Sequence, residues 1–95
     1  DGPLLSHRAL VLQVPARALL EGDAVPLRCR GWQNKSVTGV RFYRDWKDLR
    51  RPLRGTELSL SPVRLNDTGR YHCAGRVEYW VSGWRASEPV TVTVH

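Results

Sequence analysis

The sequence predicts an all-β, two-layer sandwich. Apolar and polar residues alternate in a series of short runs, clusters of turn-forming residues separate those runs, and no segment sustains a 3.6-residue period. Leu10, Leu12 and Val14 alternate until Pro15 stops the run. Arg17 to Glu21 has room for one helical turn. Val25, Leu27 and Cys29 share one face of the next strand, with Arg28 and Arg30 on the other. Val40 and Phe42 mark a third strand, from which Arg41 and Tyr43 face away. Leu58 and Leu60 alternate with Glu57 and Ser59. Tyr71, Cys73 and Gly75 alternate with Arg70, His72, Ala74 and Arg76, so His72 is expected on the surface. Val90, Val92 and Val94 alternate with Thr91 and Thr93 in the last strand. The turn clusters are Glu21-Gly22-Asp23, Asn34-Lys35-Ser36, Arg54-Gly55-Thr56, Asn66-Asp67-Thr68-Gly69 and Ser82-Gly83.

Ninety-five residues make a single core, with residues 1–8 expected as an N-terminal linker and 9–95 as the domain. The apolar fraction, 41 %, is that of a globular chain, which excludes disorder and low-complexity architectures. The longest apolar run, Ala9 to Leu12, falls far short of the about 18 residues that span a membrane. No segment has the layout of a signal peptide, so the chain reads as a mature fragment. Fifteen Lys and Arg against nine Asp and Glu leave a net charge of +6. That suits an acidic partner as readily as it suits a solvated surface.

Cys29 and Cys73 are the two cysteines, 44 positions apart. That is too sparse for a zinc site, and no CxxC occurs. Both fall on inward-facing positions of predicted strands, where a bridge between two sheets would lie. Two N-x-S/T sequons, at Asn34 and Asn66, join the paired cysteines in favouring an oxidising, extracellular compartment with N-glycans at both asparagines.

Tyr71 sits two residues before the second cysteine, the place of the tyrosine corner in an immunoglobulin sandwich. Asp67-Thr68-Gly69-Arg70-Tyr71-His72-Cys73 fits the immunoglobulin D-x-G-x-Y-x-C pattern residue by residue, and Asp67 is expected to pair with a basic residue across the sandwich base. Phe42 is the core ring in the window where antibody domains carry a tryptophan.

The stretches Leu10-Val11-Leu12-Gln13, Leu19 to Asp23, Leu27-Arg28-Cys29-Arg30-Gly31-Trp32-Gln33-Asn34-Lys35, Val40 to Asp45, Gly69 to Gly75 and Pro89 to Val94 closely resemble the second, C2-type immunoglobulin domain of leukocyte Fc receptors and Fc receptor-like proteins. The resemblance covers residues 9 to 94, and the Arg28-to-Lys35 stretch is its most specific part. It implies a receptor ectodomain that binds the immunoglobulin Fc region or a related immune ligand through loops at one end of the sandwich. It further implies neighbouring immunoglobulin domains in a membrane-anchored parent chain, and neither cofactor nor metal.

In that family two tryptophans clamp a proline of the Fc. One matches Trp32; the other aligns with Ala9, so half of the clamp is absent. The resemblance assigns contacts to Trp32–Ser36, to the turn around Arg44–Asp48 and to Arg76–Trp84. The candidate ligand-binding residues are accordingly Trp32, Gln33, Lys35, Arg44, Lys47, Arg76, Tyr79, Trp80 and Trp84. Asp45-Trp46 stands where the family often has Asn-Gly, which puts the two-residue hairpin turn in question. Trp80 and Trp84 are expected in a loop before the last strand.

Other readings compete. A structural spacer in a multi-domain ectodomain would leave the ligand to its neighbours. A glycosaminoglycan-binding module would use Arg41, Arg44, Lys47, Arg50, Arg51 and Arg54, which otherwise serve as a soluble, aggregation-deterring edge. Nucleic-acid binding has no recognition motif behind it. His7, His72 and His95 are dispersed and no nucleophile stands beside a base, so the chain reads as a binding module and not an enzyme. Pro26, inside a predicted strand, needs its nitrogen turned away from a partner.

Overall fold

The computed structural model describes residues 9–78 and 83–95; the expected linker, residues 1–8, lies outside them. The described residues form nine strands, six of them on the alternating runs of the sequence and three, β2, β5 and β8, outside them: β1 (Leu10–Gln13), β2 (Ala18–Leu19), β3 (Val25–Gly31), β4 (Val37–Arg44), β5 (Lys47–Asp48), β6 (Glu57–Leu60), β7 (Gly69–Val77), β8 (Trp84–Ala86) and β9 (Val90–Val94). One sheet has the order β1-β3-β6, the other β2-β9-β7-β4-β5 with β8 also paired to β7. The two inner faces pack Leu10, Leu12, Leu27, Leu58, Leu60, Phe42, Tyr71 and Val92 into one core. At its centre the Cys29–Cys73 disulfide joins β3 to β7 across the layers.

Pro15 does more than end a strand. After it the chain crosses to the other sheet, where β2 runs parallel to β9 with Leu19 opposite Val94. The helical turn expected at Arg17–Glu21 is therefore replaced by a strand and a turn. Thr93 donates to the Arg17 carbonyl at 2.8 Å and His95 to that of Leu19 at 2.8 Å, and this ladder sinks the Leu19 side chain into the core. Pro26 meets its requirement. The Cys29 N–H donates to Thr56 on the β6 side, so alternation turns the Pro26 nitrogen toward the β1 side, which β1 vacates beyond Gln13 opposite Arg28.

Trp84 lies in β8, opposite Arg76, and not in a loop as expected. Ser87 to Pro89 separates β8 from β9, and there the buried Ser87 restores the interrupted ladder. Its N–H donates to the Cys73 carbonyl at 2.8 Å, while its Oγ accepts the Cys73 N–H at 2.9 Å. Ser87→Ala would leave that buried N–H without a partner, at a cost of about 1 to 3 kcal/mol. A denaturant-unfolding midpoint lowered with unchanged slope is the expected readout.

The β4–β5 hairpin keeps its two-residue turn. Arg44 pairs with Lys47, and the central residues Asp45 and Trp46 have φ values of 50° and 70°, as a type I′ turn requires. A tryptophan in this region is strained by about 1 to 2 kcal/mol. Asp45 offsets this by binding the start of β7: its N–H donates to the Arg70 carbonyl at 2.8 Å and its Oδ1 accepts the Arg70 N–H at 3.0 Å.

Candidate functional site

One end of the sandwich is built from the β3–β4 connection and from Glu78 and Gly83, which flank the end of β7 and the start of β8. β3 runs into a short 3₁₀ turn, Trp32–Asn34, in which Gln33 and Asn34 adopt φ of 52° and 61°. Gly31 is required at its entrance, because a Cβ there would run into the Lys35 carbonyl. The Ala9 carbonyl accepts the Trp32 N–H at 2.9 Å, the Trp32 carbonyl accepts that of Lys35 at 3.0 Å, and Arg30 donates to Asn34 Oδ1 at 2.8 Å. The two parts are joined directly: Glu78 N–H donates to the Ser36 carbonyl at 2.9 Å, and Val77 N–H to that of Gly83 at 2.6 Å. Trp32, Gln33, Lys35, Arg76 and Trp84 are thereby gathered at one end, with Trp32 and Lys35 half-buried and the others exposed. Tyr79 and Trp80 lie outside the described residues. At the place of the second tryptophan of the Fc clamp, Ala9 is fully buried.

Arg44 and Lys47 are at the opposite end. β4 carries the chain from Val37, opposite Val77, to Arg44, opposite Tyr71, a run of about 20 Å. Arg44 there serves the fold. Its Nη1 is 3.1 Å from Oδ1 of the buried Asp67, whose Oδ2 accepts the Arg64 N–H at 2.8 Å. The Tyr71 hydroxyl donates to the Asp67 carbonyl, completing the tyrosine corner. Burial pushes the ionisation of Tyr71 above its ordinary value, against the hydrogen bond and charge of Arg44 and with the help of the Asp67 charge. The basic partner expected for Asp67 is thus Arg44 itself.

On the outer face of β4 and β7 lies a cluster that alternation alone does not reveal. Tyr43 stands opposite His72, their rings parallel within 5° at 4.6 Å, and the Trp46 ring packs at 4.8 Å from His72 at 45°. His72 does face outward, as the alternation predicts, but these rings bury it, so it is not the surface residue expected. Its Nδ1 has no hydrogen-bond partner among the described residues. Trp46 remains 63 % exposed, the most accessible tryptophan described. The cross-strand pairing of Tyr43 with His72 is legible only once register is known.

Burial lowers the pKa of His72 below 6.5. Folding therefore favours the neutral imidazole. Its contribution to stability is complete above the unfolded value and is lost as pH falls through the lower folded one, since the unfolded chain binds the proton first. Between about pH 8 and pH 5, wild type is expected to lose more stability than His72→Gln, read as the difference in unfolding midpoints. Parallel pH profiles would remove His72 as the cause.

Among the described residues no group of His, Cys, Asp and Glu is placed to hold a metal ion. The arrangement presents surfaces: an end on which Trp32 and Trp84 stand among Arg30, Lys35 and Arg76, and an aromatic outer face.

The family profile described as immunoglobulin domain matches residues 9–94. The chain belongs to the immunoglobulin domain family. This immunoglobulin domain is 38 % identical to Fc receptor-like A of Rattus norvegicus over 92 residues, which is 96 % of this chain and 26 % of that protein. It is 41 % identical to the Mus musculus protein of the same name over 91 residues, 95 % of this chain and 26 % of that one. The low affinity immunoglobulin gamma Fc region receptor II of Bos taurus is 32 % identical over 85 residues, 90 % of this chain and 28 % of the receptor. The chain thus spans about a quarter of the length of these curated relatives. Among solved structures, the second Ig-C2 domain of human Fc receptor-like A superposes with a TM-score of 0.70 at 19 % identity, covering 92 % of this chain and 96 % of that one. The resemblance read from the sequence motifs and the fold are therefore both met in known proteins.

Proposed function

We propose that this immunoglobulin domain is a non-enzymatic recognition module in the extracellular part of a membrane-anchored immune receptor. It binds the immunoglobulin Fc region or a related immune protein through the end that carries Trp32. The observation behind the reading is the hydrogen-bonded junction of the Trp32–Ser36 connection with Glu78 at the end of β7, which sets Trp32 and Trp84 beside Lys35 and Arg76. Aromatic anchors with flanking cations are the composition of binding hot spots. Similarity to a receptor named for the immunoglobulin gamma Fc region points to the ligand class. Lys47 belongs to a separate contact at the far end, while Arg44 is committed to Asp67.

Both sequon asparagines are exposed, and we assign N-glycans to Asn34 and Asn66. The Asn34 glycan would stand within the contact loop. The test is surface binding of the domain to a panel of immunoglobulin Fc fragments, wild type beside Trp32→Ala, with and without N-glycans. Saturable binding to one class, weakened about thirtyfold or more by the substitution, is expected for a hot-spot tryptophan. An unchanged dissociation constant removes Trp32 from the site. The spacer reading draws on Ala9, which stands buried where the resemblance implies a second tryptophan. Absence of binding to every Fc in both glycan states would favour it.

A further inference from the structure

The arginine-rich stretch that follows β4 is not absorbed by the Trp32 end. It borders a groove of about 410 Å³ between the β4–β5 margin and β6. Its floor consists of core side chains, Val40, Phe42 and Leu58, which are buried. The half-buried Leu49 and the exposed Leu53 complete the apolar lining, and on the rim Arg41, Arg50 and Arg51 surround a single acid, Asp48.

Asp48 organises that rim. Its Oδ2 is 3.4 Å from Arg41 Nη1, and its Oδ1 accepts the Arg50 N–H at 2.9 Å. That second bond accompanies a left-handed backbone conformation at Arg50, φ 52°, which is costly for an arginine. Arg50 and Arg51 have no carboxylate partner among the described residues and are exposed. Guanidinium groups meet sulfates and carboxylates with paired N–H donors.

We propose that this groove binds a sulfated glycosaminoglycan chain, with Arg50 and Arg51 on its anionic groups and Asp48 positioning Arg41 and Arg50 at the mouth. The net charge of +6 would steer such a polyanion toward the domain. An acidic polypeptide fits less well, because Val40, Phe42 and Leu58 are committed to the core and Leu53 is the one exposed apolar residue of the lining, beside three arginines. The proposal is independent of the Fc reading, since the groove lies away from the Trp32 end.

The test is binding of the chain to immobilised heparin over a salt series. Wild type is expected to bind saturably and to weaken as salt rises. Arg51→Glu should bind about tenfold more weakly, the loss of a charge-assisted contact. Arg17→Glu carries the same net charge at an exposed position before β2, so it shares any loss of steering and should weaken binding far less than Arg51→Glu does. Arg51→Gln stands in should the glutamate variant fail to fold, as read from its circular dichroism. Asp48→Ala distinguishes a built site from bulk charge: weaker binding despite the added positive charge supports the positioning role, and tighter binding overturns it. Absence of saturable binding, or equal losses in Arg17→Glu and Arg51→Glu, overturns the site. Displacement of heparin by polyglutamate as effective as that by soluble heparin at matched charge would assign the groove to an acidic polypeptide and overturn the glycan.

Discussion

Replacing both Cys29 and Cys73 by alanine is expected to lower stability by about 4 kcal/mol, the loop-closure entropy of a 44-residue separation. Both residues are buried at the junction of the two layers, with Cys73 directly opposite Phe42 on the neighbouring strand. For a domain of this size such a loss corresponds to a thermal midpoint lowered by roughly 20 °C. The effect is this large because the bridge closes a long loop in the unfolded chain, and in the folded chain it links β3 and β7, which belong to different sheets and share no ladder. Differential scanning calorimetry of wild type and the double variant checks the expectation. A midpoint within a few degrees of wild type would mean that packing alone secures the layers.

The second large effect is expected at Asp67. One carboxylate accepts from the Arg44 guanidinium and from the Arg64 N–H, while the carbonyl of the same residue takes the Tyr71 hydroxyl. Asp67→Asn keeps the shape but turns an NH₂ toward one of those donors and removes the charge that balances Arg44. Breaking a buried pair from one side costs about 3 to 5 kcal/mol. Arg44 is nearly a third exposed, so screening by water places the expected loss at the lower end, about 3 kcal/mol. Urea unfolding of Asp67→Asn beside Arg44→Gln and the double variant measures the coupling. Strictly additive losses would show that the pair contributes nothing of its own.

These two sites were legible in different degrees. The cysteine phase and the D-x-G-x-Y-x-C pattern are local, so the bridge, the tyrosine corner and the requirement of Asp67 for a base all follow from residues read in order. The base itself does not. Arg44 lies 23 residues from Asp67, and its exposure to solvent or to Asp67 depends on the β4–β7 register. The same limit hid the stacking of Tyr43 on His72. Trp84 looked like a loop residue because its strand partner is Arg76, across a connection that carries no alternation of its own.

By itself, the sequence determined which faces are apolar, because a side-chain period of two is a property of the chain alone. It thereby determined the sandwich, the inward cysteines and the family resemblance. Only the tertiary structure decided where the first strand changes sheets, which base closes over Asp67, and how the aromatic residues bury His72. It also decided that the Trp32 connection shares one end with the close of β7 and the start of β8 while Lys47 stands at the other. The physical reason is that strand register and sheet partnership are fixed by packing between segments far apart in sequence. Alternation within a strand says which way a side chain faces but not what it meets.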